Sequence, residues 1–456
     1  MKALRDRITA REGRDQGLTL VEILVAMMVF AIIAVSVAYS LTLALALVND
    51  ARAREVAANL AAQELDLDRA AADVFTLVDT DKTLIVNQTT FHLHRDVSWI
   101  TSTGVDANCG SGGGQLQYKR LNVSVTWDGM RAATNPVRSD TVVAPGSKIN
   151  DPTLGTILVS VLTASGNGSS GVTVTAIPSV PANGAVAITD VPDPTDAQGC
   201  SYVLKVVPGN YDVKISRANS VDVNQAATST TTVGVAAGAA ASVAFQYDLP
   251  ATFTAKYGVN YTSGSTLIPN NLDTTVRSTY GVYTTSATTN ALSRVISLHP
   301  FTSGYEPIAG KYVPPAGTAP TCLSPDPARW IIPAADGAIG HTPSAVSALP
   351  GGAADLPVPM GIAAVTGLSG KYLKAVSQAT APLTGDPGCS VTTTYTFGAL
   401  GSGNQQIGLP YGSWLLYWGT STGQTTLVPA TSITTLNRGV VGATGVVTFD
   451  PRTVVP

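Results

Sequence analysis

The chain is predicted to be α+β and mostly β: a long N-terminal α-helix packed on an antiparallel β-meander, followed by β-sandwich domains. Three observations predict this. Residues 18–48 are mostly apolar and contain one charged side chain, Glu22. Two later stretches alternate apolar and polar residues with a period of two. Beyond residue 150 the chain is rich in Thr, Val, Gly and Ser, with short apolar runs broken by turn residues, a composition that favours strands.

The first element is the helix. At 1.5 Å per residue, residues 18–48 extend about 46 Å, whereas a bilayer core of about 30 Å needs about 20 residues. Residues 1–17 form a short charged leader in which Lys2, Arg5, Arg7, Arg11 and Arg14 outnumber Asp6, Glu12 and Asp15. This excess retains the N-terminus in the cytoplasm under the positive-inside rule. A secretory signal would end a run of about 7–15 apolar residues with a cleavage site. Here the run is longer, and the candidate cleavage site precedes it. Hydropathy by itself leaves open an uncleaved signal anchor. A carboxylate in a membrane helix costs about 2.5 kcal/mol or more, so Glu22 needs a partner.

Gly17-Leu18-Thr19-Leu20-Val21-Glu22, heading this helix, resembles the processing site of type IV prepilins and pseudopilins. The resemblance implies that prepilin peptidase cuts between Gly17 and Leu18 and methylates the new N-terminus. The family usually begins its mature chain with Phe; here the residue is Leu18. Cleavage would give Leu18 an α-amino group, and Glu22 would meet the amine of a neighbouring subunit, setting register in the filament. In low dielectric such a pair is strong, and an unpaired charge is costly.

Past residue 48 the helix is expected to continue to about Ala72, with Val56, Leu60 and Leu67 as its apolar stripe. In residues 89–99, Phe91, Leu93, Val97 and Trp99 alternate with His92, His94, Asp96 and Ser98, and Arg95 breaks the pattern. Leu121, Val123, Val125 and Trp127 alternate with polar residues in a second strand, and 136–144 offers a third. Period two with one apolar face indicates an antiparallel meander. The helix and meander, residues 49–148, look like a pilin head, and residues 118–129 resemble a strand of minor pilins of the PilV type.

A linker at 148–153 precedes residues 154–249, where short strands near 155–162, 171–177, 198–204, 207–215, 230–235 and 242–248 predict a sandwich. The opening Gly155-Thr156-Ile157-Leu158-Val159, the turn ending Gly199-Cys200 and the segment Pro208-Gly209-Asn210-Tyr211-Asp212-Val213 resemble a carboxypeptidase-regulatory-like, or Cna-B-like, domain. No local pattern identifies the Lys, Asn and acid of an isopeptide bond.

Residues 250–456 echo this segment. Gly388-Cys389-Ser390 followed by Leu409-Pro410-Tyr411-Gly412 repeats the order Gly199-Cys200-Ser201 then Val207-Pro208-Gly209. A second sandwich-like unit with insertions around 314–359 is expected. The four cysteines, Cys109, Cys200, Cys322 and Cys389, lack metal-type spacing and read as disulfides in an exported body. Spacing alone allows three connectivities. If Cys200 and Cys389 are equivalent, each bonds a cysteine upstream, giving Cys109–Cys200 and Cys322–Cys389. The first would tie the pilin head to the first sandwich and restrict their relative motion.

Little points to catalysis. His92 and His94 share a strand face without a third ligand nearby, the Gly110–Gly114 run lacks the Lys-Ser/Thr of a phosphate loop, and there is no Gly-x-Ser-x-Gly elbow. Trp99, Trp127, Trp330, Trp414 and Trp418 fit a core role better than a ligand platform. Only 12% of residues are charged, and the net charge is −3. The leader contributes +2, leaving a body of −5 without the basic stripe that nucleic acid requires. No enzyme activity, cofactor, metal or nucleic-acid partner is expected. The resemblance implies a minor, tip-located pilin or pseudopilin in the inner membrane with an exported head, later at the cell surface. Its partners would be prepilin peptidase, other pilins and a surface or host ligand. The alternative is an uncleaved, membrane-anchored surface binding protein that uses residues 18–48 as a signal anchor.

Overall fold

The structure, a computed structural model, describes residues 19–101, 106, 107, 109, 116–131, 135–145, 151–379 and 383–454. The chain is α+β, mostly β, and its packing separates two compact units. Unit 1 holds residues 1–100 and 117–147; unit 2 holds 101–116 and 148–456.

Unit 1 begins with α1 (Leu20–Arg69), which starts at an N-cap on Thr19 and ends with the Ala70 amide on the Asp66 carbonyl. Its C-terminal part lies on a sheet of β1 (Thr80–Val86), β2 (Thr89–Thr101), β4 (Leu116–Trp127) and β5 (Val137–Val143) in that order; the short β3 (Asp106–Ala107) falls in the segment that belongs to unit 2. Neighbouring strands on the main path β1–β2 and β4–β5 run antiparallel. One face is buried: Phe91, Leu93 and Trp99 of β2, and Leu121, Val123, Val125 and Trp127 of β4.

Two expectations need correction. The buried stripe of α1 is Ala57, Ala61, Glu64, Leu65 and Asp68, whereas Val56 and Leu60 are half-buried and Leu67 is exposed. Small Ala57 and Ala61, fully buried, let the helix backbone approach the sheet closely; the larger residues beside them flank the contact. Arg95 does not break the alternation of β2. It continues the inward face, buried with Phe91, Leu93 and Trp99, because Glu64 and Asp68 meet it there.

Unit 2 opens with a sandwich of two sheets. One has the order β10 (Val221–Asp222), β12 (Ala240–Asp248), β6 (Gly155–Leu162), β8 (Cys200–Val206); the other has β11 (Thr228–Val235), β9 (Gly209–Ser216), β7 (Thr173–Pro178). The inward residues Ile157, Val159 and Val161 of β6 pack with Val174, Tyr211, Val213, Ile215 and Phe245. β12 joins β6 in parallel, which needs the crossover of strands between them.

The remaining strands form four sheets around a second core. β13 (Ala251–Tyr257) lies between β17 (Ser293–Leu298) and β19 (Ala353–Val358); β15 (Asp273–Ser278) lies between β16 (Gly281–Ser286) and β18 (Glu306–Ala309). The third sheet runs β14 (Thr266–Leu267), β23 (Gln405–Leu409), β20 (Gly361–Val365), β26 (Ile433–Thr435). The fourth is built on β21 (Tyr372–Ser377), flanked by β22 (Thr394–Ala399) and β24 (Gly412–Gly419), and continues through β28 (Val446–Phe449) to β27 (Gly439–Val441); β25 (Gln424–Leu427) pairs with β24. The predicted insertion at 314–359 is cut short by β19, which begins at Ala353. The repeated Pro segments both open strands, β9 and β24, but Cys200 starts a strand while Cys389 sits on an isolated bridge to Cys322.

Disulfides join Cys109 to Cys200 and Cys322 to Cys389. Trp99, Trp127, Trp330 and Trp414 are buried, and Trp418 is half-buried.

Candidate functional site

The first turn of α1 is the candidate site. Gly17 and Leu18 lie outside the described residues; the description starts at Thr19. Thr19-Leu20-Val21-Glu22 folds into a capping box: Thr19 Oγ accepts from the Glu22 amide at 3.4 Å, and Glu22 Oε2 accepts from the Thr19 amide and hydroxyl, both at 3.0 Å. Two backbone donors that a helix start leaves orphaned are thereby satisfied. Glu22 therefore spends its carboxylate on its own helix in the single chain. The spacing Thr-x-x-Glu before an apolar run is a known start signal, so the capping role of Thr19 is legible in the sequence alongside Glu22.

From Leu20 to Val48 every residue of the helix is exposed. Leu20 is 75% exposed and Phe30 72%. Val21, Val25, Ala26, Val29, Phe30 and Ile33 line one side together with Glu22, so this carboxylate is the one polar group of an apolar stripe. Polar side chains further along, Ser36 and Ser40, bond back to carbonyls one turn earlier, Ile32 at 2.8 Å and Val37 at 2.9 Å. That leaves the surface apolar. The helix is long and apolar enough to cross a membrane.

The far end of the same helix is held by buried charge. Arg95 of β2 donates to Glu64 at 3.2 Å, to Asp68, and to the Val78 carbonyl at 2.9–3.0 Å; Lys82 of β1 donates to Glu64 at 2.6 Å. Burial pushes the Asp68 carboxyl up, against the pull of Arg95 and with the repulsion of Glu64. Lys119 of β4, also buried, donates to the Leu77 carbonyl at 2.6 Å and lies 5.2 Å from the Trp99 ring. Each of these buried charges makes at least one hydrogen bond, which offsets part of the cost of desolvation.

The two strand histidines do not converge. His92 Nε2 meets Asp128 at 3.1 Å and His94 Nδ1 meets Asp81 at 2.8 Å, each an exposed pair on its own. Among the described residues there is no group of three or more His, Cys, Asp or Glu that could hold a metal ion.

A family model described as the prokaryotic N-terminal methylation motif matches residues 13–38. The chain thus carries the N-terminal signature of prepilins, on a helix suited to membrane anchoring before assembly into a surface pilus. No curated protein matches the chain. Among solved structures it is similar to the Bacillus anthracis TIE protein, at 12% identity over 77% of this chain and 70% of that one, TM-score 0.19. It is also similar to a streptococcal ancillary pilin, at 13% identity over 61% and 80%, TM-score 0.19. The major pilin subunit of Bacillus cereus is a third, at 11% identity over 60% and 92%, TM-score 0.20.

Proposed function

We propose that this chain is a minor, tip-located type IV pilin or pseudopilin, a structural subunit rather than an enzyme. Prepilin peptidase cleaves it between Gly17 and Leu18, Leu18 is N-methylated, and residues 18–48 insert among the helices of other pilins. The observation that carries the reading is the exposed apolar face of α1, broken by a single carboxylate within the stretch that matches the methylation motif. A surface of this kind needs lipid before assembly and neighbouring helices afterwards. On assembly Glu22 exchanges part of its bond to Thr19 for the charged amine of a neighbour, an interaction that is stronger out of water.

Tip placement rests on bulk. Two β-rich regions follow the head, and copies of them along a fibre would crowd each neighbour, whereas a tip has room. The distal regions then serve adhesion to a surface or host ligand, or priming of assembly.

The N-terminal sequence of the native protein tests the processing step. A mature chain starting at methylated Leu18 is expected; an intact leader would make the chain an uncleaved surface anchor. Antibody to residues 150–456 is expected to label fibre ends, and labelling along whole fibres would refute the tip position.

A further inference from the structure

The helix that anchors the chain also forms one wall of a polar cavity where it leaves the membrane. A cavity of about 240 Å³ lies between the turn of α1 at Asn49 and Asp50 and the end of β4 with the turn after it, at Trp127, Asp128 and Arg131. The turn is held by the Met130 amide on the Trp127 carbonyl at 3.1 Å and by Gly129, whose φ of +80° suits glycine. A Cβ at Gly129 would meet nothing within 4 Å, so the cavity is open on that side.

Three features define what fits. Asp50 has a buried carboxylate oxygen, Oδ1, with no hydrogen-bond partner among the described residues. Asp128 is kept ionised, its pKa lowered by hydrogen bonds from His92 and Thr90. Arg131 brings an exposed guanidinium to the rim. The site therefore combines anionic acceptors with one cation, the pattern of a zwitterion with separated charges. Its volume is below the roughly 300 Å³ at which drug-sized pockets begin.

Position supplies the ligand's source. From Leu20 to Asp50 the helix rises about 45 Å, and a bilayer with its headgroup layers is about 40–45 Å thick. With the helix start at the inner face, Asp50 lies among the outer headgroups.

We infer that this cavity binds the headgroup of an ethanolamine phospholipid, its primary ammonium on Asp50 and Asp128 and its phosphate on Arg131. An ammonium offers three N–H donors to the carboxylates, which a quaternary choline cannot, and an anionic glycerol headgroup is repelled. The bound lipid fixes the depth and rotation of the head on the membrane before assembly. This rests on membrane anchoring of α1, and on neither cleavage nor tip placement.

The test uses the full chain in mild detergent, offered equal amounts of phosphatidylethanolamine, phosphatidylcholine and phosphatidylglycerol, with bound lipid read by native mass spectrometry. Phosphatidylethanolamine is expected at threefold excess or more over each of the others. Asp50→Asn, nearly isosteric, is expected to abolish the excess, and Arg131→Gln to lower phosphatidylethanolamine and phosphatidylcholine together. Equal retention of the three lipids, a preference for phosphatidylglycerol, or an undiminished excess in Asp50→Asn overturns the inference. So does a crosslink from position 50 to a second copy that excludes the lipid. Vesicle flotation separates the two levels: a chain that floats without selecting a lipid retains the anchor and loses the site, and one that does not float loses both.

Discussion

At the scale of single residues, Glu22 caps its own helix and, in the proposed assembly, pairs with a neighbour's amine, and substitution can separate the two. Glu22→Gln keeps an acceptor for the Thr19 amide and removes the charge, so normal processing with poor incorporation into fibres is expected, read by pull-down of sheared pili. Thr19→Ala removes the cap and leaves the charge. Its cost is about 1 kcal/mol, which corresponds to roughly fivefold faster amide exchange in the first helical turn, with incorporation retained. If Glu22→Gln assembles as well as wild type, charge pairing is not its task. Asp68 makes a separate prediction. Its folded pKa is raised above the reference value of 3.8, so its contribution to stability is full below that value and is lost as pH rises through the folded pKa. Thermal unfolding of unit 1 is expected to show this loss as pH rises from 4 towards neutrality, and Asp68→Asn to flatten the slope.

At the scale of elements, the joint between the two sandwich regions of unit 2 is built from side chains rather than strand pairing. Gln225, next to β10, accepts from the His299 amide at 2.6 Å and donates to Tyr305 Oη at 3.1 Å; Tyr305 Oη donates to the His299 carbonyl at 2.7 Å. His299 Nδ1 lies 3.2 Å from the Val221 carbonyl, its ring packs on Phe301, and Phe301 stacks on Tyr280, which reaches Gln246 of β12. His299 is fully buried, and burial lowers its pKa against the opposing pull of Asp248 and Asp222. For a base with a depressed folded pKa, stability is full above the reference value of 6.5 and declines as pH falls through that value towards the folded one. Melting of unit 2 is therefore expected to drop between pH 7 and pH 5, and His299→Gln to remove that part of the pH dependence. An unchanged profile in the variant would assign the drop elsewhere.

At the scale of the whole molecule, segment 101–116 leaves the chain of unit 1 yet belongs to unit 2, where Cys109 bonds Cys200 across a separation of 91 residues. In the chain-entropy view a loop of this length restricts the unfolded state by roughly 4.6 kcal/mol. Replacing both cysteines by serine is expected to lower the denaturant midpoint of unit 2 clearly, whereas the Cys322–Cys389 pair closes a shorter loop of 67 residues and has a slightly smaller effect. Non-reducing peptide mapping that recovered a Cys109–Cys322 peptide would contradict both bonds.

The sequence by itself determined what depends on near neighbours. The membrane-length helix, the place of Glu22 within the methylation motif, the meander and the strands of the first sandwich all follow from periods and spacings of a few residues. The tertiary structure decided what depends on residues far apart. Arg95 interrupts the alternation in the sequence because its partners Glu64 and Asp68 lie 31 and 27 residues earlier, and only folding brings those carboxylates to it. The buried face of α1 shifted to Ala57 and Ala61 for a similar reason: close approach to a sheet selects small side chains, while an apolar stripe read from the helix alone selects large ones. The Gln225–His299–Tyr305 joint and the Asp50 cavity have no local pattern, since each gathers polar atoms from segments tens of residues apart. The first helical turn lies on both sides of this division. Its cap was written in four consecutive residues, and in the proposed assembly the partner of Glu22 belongs to another chain.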